Sequence, residues 1–159
     1  HCISTGKPIL KSFKIKECID NGVELLSASI KAKDLKININ IPEDIEAKGN
    51  PTLFKTAVRN LLSNAIKFSP KGGSILMQAS NKEQNMHFSI QDKGEGIPDS
   101  LKKHLFKESV SSHEGTLGEA GHGLGLHLTH ELILMQNGHI WIDEAYKDGS
   151  LIHCTLPIN

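Results

Sequence analysis

The chain of 159 residues carries 18 lysines and arginines against 18 aspartates and glutamates, so its formal net charge is zero. This balance excludes a strongly basic surface for nucleic acid and an acidic tail, and the length suits one domain with a single core. No apolar run approaches the length of a membrane-spanning helix, and three cysteines far apart favour a reduced, cytosolic setting over a disulfide framework.

The pattern of apolar and turn residues predicts helices and strands that both interleave and cluster. After a connector at 1–12, the predicted elements are a strand at 13–15, a helix at 17–33, a strand at 35–41, a short strand at 45–50, a helix at 51–68, strands at 74–80 and 86–92, a helix at 124–136, and a closing hairpin at 139–145 and 150–158. This order is typical of an α+β protein. We therefore predict a sandwich of one mixed sheet with helices on one face.

Apolar residues of the helix at 51–68 recur at helical spacing and form one stripe: Phe54, Val58, Leu61, Leu62 and Ala65. Asn60, Asn64 and Lys67 follow the same period, largely to one side of this stripe. Asparagine is a poor helix former because its amide competes for backbone hydrogen bonds, so two of them need a reason. Either this is an ordinary solvated polar face, or its amides and ammonium face a bound anion or metal. The helix alone does not decide.

Asp92 ends a predicted strand and is followed closely by Gly94 and Gly96. Nearby glycines let the backbone approach a flat ligand, while the carboxylate can accept a hydrogen bond from an exocyclic amine. By itself this pattern also describes many turns. It therefore predicts a ligand site only in combination with other motifs.

Gly121, Gly123 and Gly125 lie where the helix predicted at 124–136 begins. Glycine costs roughly 1 kcal/mol within a helix, so three in five residues need an explanation. A helix N-terminus offers unpaired amides and a positive dipole end, and glycines let phosphate oxygens reach those amides. The motif is neither a P-loop nor a Rossmann turn, since no βαβ unit surrounds it.

These three signals, in this order, resemble the ATP-binding domain of sensor histidine kinases, within the superfamily that includes gyrase and MutL. The segments "RNLLSNAIKFS", "DKGEGIP", "LF" at 105–106 and "GHGLGLHLT" are similar to its N, G1, F and G2 boxes. The resemblance covers residues 13–158. It implies the two-layer α/β sandwich called the Bergerat fold, with a mixed, mostly antiparallel sheet and a mobile ATP lid. It also implies ATP and Mg²⁺ as cofactors.

The resemblance assigns roles to individual positions. Asn64 would hold Mg²⁺, while Asn60 and Lys67 would reach the phosphates as the catalytic residues. Asp92 would accept from the adenine amino group, and the glycines after it would let the base lie close. The full nucleotide-binding set that it implies is Asn60, Asn64, Lys67, Asp92, Gly94, Gly96, Ile97, Gly121, His122, Gly123, Leu124, Gly125 and Leu126.

Kinases and ATPases of this superfamily differ one helical turn before the metal-binding asparagine. The hydrolysing members carry a glutamate there, which can activate water as a general base. Asn60 occupies this position and has no basic lone pair at neutral pH. We therefore expect slow hydrolysis and a nucleotide kept for another acceptor, a histidine on a separate dimerisation domain. The His-Glu pairs at 113–114 and 130–131 lack the Leu-Arg-x-x-Pro pattern of that acceptor, so we interpret both as incidental.

The lid departs from the family pattern. Related lids often carry an arginine aimed at the γ-phosphate, but none occurs between Phe106 and Gly125, where Lys107 is the only cation of fixed charge. His122 also stands where serine or threonine is common. A degenerate, regulatory nucleotide-binding module that contacts other proteins is therefore an alternative function, as is an anti-sigma-type serine kinase.

The sequence thus predicts a connector at 1–12, from an upstream dimerisation domain that this chain lacks, and an ATP-binding catalytic domain at 13–159. We expect a histidine protein kinase domain of two-component signalling that is inactive alone because its phosphoacceptor is absent. Its partners would be that dimerisation domain and a response regulator, with no nucleic acid and no direct membrane contact. The fragment is expected to be monomeric and cytoplasmic.

Overall fold

The computed structural model describes residues 7–97 and 117–159, except for the side chains of 117–125. Its elements in chain order are β1 (Lys11–Lys14), α1 (Ile15–Leu25), α2 (Ser27–Ala32), β2 (Lys36–Asn40), β3 (Glu46–Gly49), α3 (Pro51–Phe68), β4 (Ser74–Lys82), β5 (Asn85–Asp92), α4 (Leu117–Leu134), β6 (His139–Ile142) and β7 (Ser150–Pro157). The segments predicted as strands are strands, and the predicted bounds of α3 agree with the structure.

The main sheet has five strands in the order β2-β4-β5-β7-β6. Within the described residues, only β2 and β4 pair in parallel, and the other neighbours are antiparallel. The predicted mixed, mostly antiparallel sheet is therefore confirmed. The prediction of a single sheet is wrong in one respect, because β1 and β3 pair with each other in a separate two-stranded sheet. Periodicity shows that a segment is extended but not which strand it joins.

Helix α3 lies at the centre of the helical layer, where it contacts α1, α4 and strand β5. Local sequence explains its bounds. The Asn50 side chain accepts from the Leu53 amide at 3.1 Å, and Pro51 occupies the first turn, where its missing N–H costs nothing. Its buried stripe meets the sheet through Phe54, whose ring stands edge-on to that of Phe88 at 6.2 Å between centroids.

The helix predicted at 17–33 is divided into α1 and α2 at Leu26, whose dihedral angles (φ −103°, ψ 15°) are not helical. The Leu26 amide still donates to the Gly22 carbonyl at 3.1 Å, and its own carbonyl accepts from Ile30 at 3.0 Å. Because the hydrogen bonds continue across the bend, the apolar spacing continues too. The sequence pattern therefore does not reveal this break.

The predicted connector at 1–12 overlaps the first strand, since β1 begins at Lys11 and pairs with β3. The side-chain nitrogen of Asn50 also donates to the Ile9 carbonyl oxygen at 3.0 Å. Residues 9, 11 and 12 are therefore bonded to the domain. The division of a longer chain into connector and domain stays a prediction.

The sheet face opposite the helices carries two hydrogen-bonded imidazoles and a carboxylate. His87 Nε2 lies 2.9 Å from His153 Nδ1, and His153 Nε2 lies 3.0 Å from Asp143 Oδ2. The Trp141 ring stacks on His153 with 5.3 Å between centroids. Burial is the main cause that lowers the pKa of His87, and the nearby His153 and Lys82 lower it further. This face therefore favours neutral imidazole at position 87.

Candidate functional site

The polar side of α3 is not an ordinary solvated surface. Asn64 is buried and donates its side-chain amide to the Asn60 carbonyl oxygen at 3.0 Å. The Nδ2 atom of Asn60 is also buried, and it has no hydrogen-bond partner within the described part of the chain. A buried donor without an acceptor costs free energy unless a ligand supplies one. This favours the interpretation that the asparagines face a bound molecule.

Asp92 is buried at the end of β5 and held by the start of β7. The Ser150 amide donates to Asp92 Oδ1 at 3.2 Å, and the Ser150 hydroxyl donates to Asp92 Oδ2. Burial raises the pKa of Asp92, while the hydrogen bonds from Ser150 and from the Gly94 amide act in the opposite direction. The result is a desolvated carboxylate in a fixed orientation, which can accept a hydrogen bond from a ligand.

The glycines after Asp92 form a junction of three backbone segments. A Cβ atom on Gly94 would collide with the carbonyl oxygen of Phe68, at the end of α3. Gly96 has a φ of +79°, and a Cβ there would lie 2.7 Å from the Gly149 carbonyl oxygen. Close packing therefore requires these glycines, because the end of α3, the loop after β5 and the turn before β7 meet here. That they also let a base lie close stays a prediction.

The third glycine motif lies elsewhere on its helix than the sequence predicts. We predict that the helix begins near Leu124, but α4 begins at Leu117, so Gly121, Gly123 and Gly125 lie beyond its first turn. The predicted helix start at these glycines is therefore wrong, because glycine weakens a helix without preventing it. Their amides belong to the interior of α4. The roles of this motif, His122 and Leu124 included, stay predictions.

Two further predicted site residues have buried side chains. Ile97 follows the glycine junction and is 5% exposed, and Leu126 on α4 is 1% exposed. The lid positions Leu105, Phe106 and Lys107 and the His-Glu pair at 113–114 lie outside the described residues.

A family model described as "Histidine kinase-, DNA gyrase B-, and HSP90-like ATPase" matches residues 49–159, a range that contains all three motifs. The chain belongs to this ATPase family. Among curated members, the adaptive-response sensory kinase SasA of Synechocystis sp. is 34% identical over 155 residues, which cover 96% of this chain and 39% of that kinase. SasA of Gloeothece citriformis is 35% identical over 128 residues, or 79% of this chain and 32% of that kinase. The chain thus spans about two fifths or less of these relatives.

Solved structures of the ATPase family share this fold. The catalytic domain of the histidine kinase ThkA superposes with a TM-score of 0.80 at 24% identity, covering 94% of this chain and 96% of that one. The mycobacterial sensor histidine kinase MprB gives 0.73 at 25% identity, with 94% and 97% covered. Full-length ShkA in complex with AMPPNP gives 0.76 at 21% identity, with 97% and 32% covered. The resemblance to the ATP-binding domain of sensor histidine kinases is confirmed.

The residues present fit the nucleotide and metal that the ATPase family implies. The buried Asn60 Nδ2 suits a phosphate oxygen as its acceptor. Because Asn64 uses its amide nitrogen within the helix, its Oδ1 is the atom suited to a cation. Mg²⁺ is usually held by few protein oxygens together with substrate phosphates and water. The described residues contain no cluster of three or more histidine, cysteine, aspartate or glutamate side chains suited to a metal.

Sequence reasoning missed two residues that support this site. Ser150 holds Asp92 from 58 positions away, and Tyr146 donates its hydroxyl to the Asp92 carbonyl oxygen at 3.2 Å. The only signal in the sequence was turn chemistry at 147–149, which predicts a hairpin but not its contact with Asp92.

Within the described residues, no helix combines the length and apolarity needed to cross a bilayer.

Proposed function

We propose that this chain binds Mg²⁺-ATP between the polar side of α3 and the loop after β5, and supplies the γ-phosphate to a histidine on a separate dimerisation domain. The observation that carries this proposal is the buried Asp92 carboxylate, held by Ser150 beside the end of α3. Support also comes from the curated relatives named as sensory kinases and from the similar fold of ShkA, whose structure contains AMPPNP.

Asp92 would accept a hydrogen bond from the adenine amino group. Ser150, its partner on the neighbouring strand β7, restricts the carboxylate to one orientation before the base binds. Preorganisation of this kind reduces the entropy lost on binding. Because the carboxylate is buried, water competes little for the same hydrogen bond.

Asn60 and Lys67 would donate to phosphate oxygens, and Asn64 would hold Mg²⁺ through Oδ1. Mg²⁺, when bound, neutralises charge on the phosphate oxygens. Asn60 cannot act as a general base, so hydrolysis by water would be slow. The nucleotide would then be retained for the histidine acceptor. The residues of the G2 motif, Gly121, Gly123 and Gly125 among them, would contact the phosphates from α4.

Asp92→Asn tests the adenine contact, because it keeps the shape and replaces an ionised acceptor with a weaker one. A charge-assisted hydrogen bond contributes about 1.5–3 kcal/mol, so we expect roughly 10- to 100-fold weaker ATP binding by calorimetry. Asp44 is exposed, so Asp44→Asn is the matched control and should bind ATP as tightly as the unsubstituted chain does. Unchanged affinity in a folded Asp92→Asn variant would refute the adenine contact.

Phosphotransfer separates the proposed kinase from its alternatives. The chain is mixed with radiolabelled ATP and the dimerisation domain of its parent protein, and acid-labile phosphohistidine is measured. ATP binding without transfer would favour the degenerate regulatory module, and phosphoserine on a protein substrate would favour the anti-sigma type. Rapid release of phosphate by the chain alone would contradict the role given to Asn60.

A response regulator as downstream partner, and a cytoplasmic location, belong to the same proposal.

A further inference from the structure

Lys33 closes the carboxyl-terminal end of α3 from a neighbouring helix. It lies directly after α2, and its ammonium donates to three backbone carbonyls: Ile66 at 2.7 Å, Lys67 at 3.1 Å and Ser69 at 2.6 Å. The last carbonyls of a helix have no intrahelical donor and carry a negative partial charge. The half-buried Lys33 ammonium therefore supplies donors to these carbonyls and also offsets their negative partial charge.

The backbone around Lys33 is fixed as well as its side chain. The Gly72 amide donates to the Lys33 carbonyl oxygen at 2.8 Å, and the Lys36 amide donates to the Gly73 carbonyl oxygen at 2.9 Å. The loop after α2 and the loop after α3 are thus joined by two backbone hydrogen bonds as well as by the Lys33 ammonium. The contact is part of a defined junction between the two loops.

The end of α3 that Lys33 closes is also a wall of the proposed nucleotide site. Lys67, whose carbonyl accepts from Lys33, belongs to the proposed phosphate-binding set. The next residue, Phe68, places its carbonyl oxygen against Gly94, two positions after Asp92. The positive charge of Lys33 therefore lies at the end of α3 that carries Lys67, a proposed phosphate-binding residue.

We propose that Lys33 is a positioning residue for nucleotide phosphates. Its ammonium offsets the negative carbonyl end of α3, which would otherwise repel anionic phosphates bound beside Lys67. The inference rests on the proposed ATP site. Lys33 acts through α3 and does not touch the nucleotide.

Charge dependence distinguishes this role from a purely structural one. Loss of the ammonium should weaken binding more strongly for ligands with more phosphate charge, in the order ATP, ADP and adenosine. A general loosening of the fold would instead weaken all three by the same factor. Removal of a favourable charge at a helix end predicts about five- to tenfold weaker ATP binding with adenosine affinity changed less than about twofold.

The experiment titrates ATP, ADP and adenosine into the parent chain, Lys33→Met, Lys33→Arg and the control Lys31→Met, an exposed lysine of the same helix end. Lys33→Arg should recover most of the ATP affinity because it keeps the charge, and Lys31→Met should match the parent. Circular dichroism establishes folding first. If Lys33→Met is unfolded, Lys33→Gln replaces it, since its amide keeps one donor without the charge.

Equal losses for all three ligands, or unchanged ATP affinity in the folded Met or Gln variant, would overturn the positioning role and leave the proposed function intact. A parent chain that binds neither ATP nor ADP would overturn the proposed function and this inference together. The two failures are therefore distinguishable in one set of titrations.

Discussion

Ser150→Ala perturbs the contact that holds the central carboxylate of the proposed site. The Ser150 hydroxyl donates to Asp92 Oδ2, and both residues are buried, at 8% and 1% exposure. A hydrogen bond to a charged group contributes about 1.5–3 kcal/mol to stability. We therefore expect the free energy of unfolding to fall by about that amount at neutral pH. For a domain of this size, this corresponds to a decrease in Tm of roughly 3–12 °C.

The loss should depend on pH in a defined direction. Burial raises the pKa of Asp92 above 3.8, and the Ser150 hydroxyl lowers it, so the variant should have a still higher pKa. The stability difference between parent and variant is therefore full while Asp92 is ionised in both proteins. It shrinks as the pH falls through the Asp92 pKa of the variant and then through that of the parent.

Urea denaturation at a series of pH values from 8 to 4 measures this difference, with Ser150→Thr as the matched control because threonine keeps the hydroxyl. The threonine variant should retain most of the stability. An alanine variant as stable as the parent, or a loss of the same size at every pH, would contradict the role given to this hydroxyl. So would a threonine variant that behaves like alanine.

Two further predictions concern the metal and the sheet face opposite the helices. Asn64→Ala should weaken ATP binding in Mg²⁺ far more than in EDTA, and equal losses in the two buffers would mean that this residue is only structural. Because the pKa of His87 is lowered from 6.5, the fold should lose stability as the pH falls from 6.5 towards that lower pKa. His87→Gln should flatten this dependence in urea denaturation, and an unchanged slope would refute the assignment.

The sequence by itself determined those features that depend on neighbouring residues. Helix α3 has the predicted bounds because its cap at Asn50, the proline after it and its apolar period are all local signals. The strands and the closing hairpin follow from alternation and turn residues in the same way. The order of the three motifs also identified the family, although the nucleotide-binding roles of their residues stay predictions.

Only the tertiary structure decided features that depend on contacts between distant segments. The hold of Ser150 on Asp92 joins residues 58 positions apart, and the bonds from Lys33 to the end of α3 span 33 to 36 positions. The start of α4 and the separate sheet of β1 and β3 were likewise not predicted. Periodicity and turn chemistry record the conformation of a segment, whereas the partner of a buried donor or carboxylate is selected by packing across the whole domain.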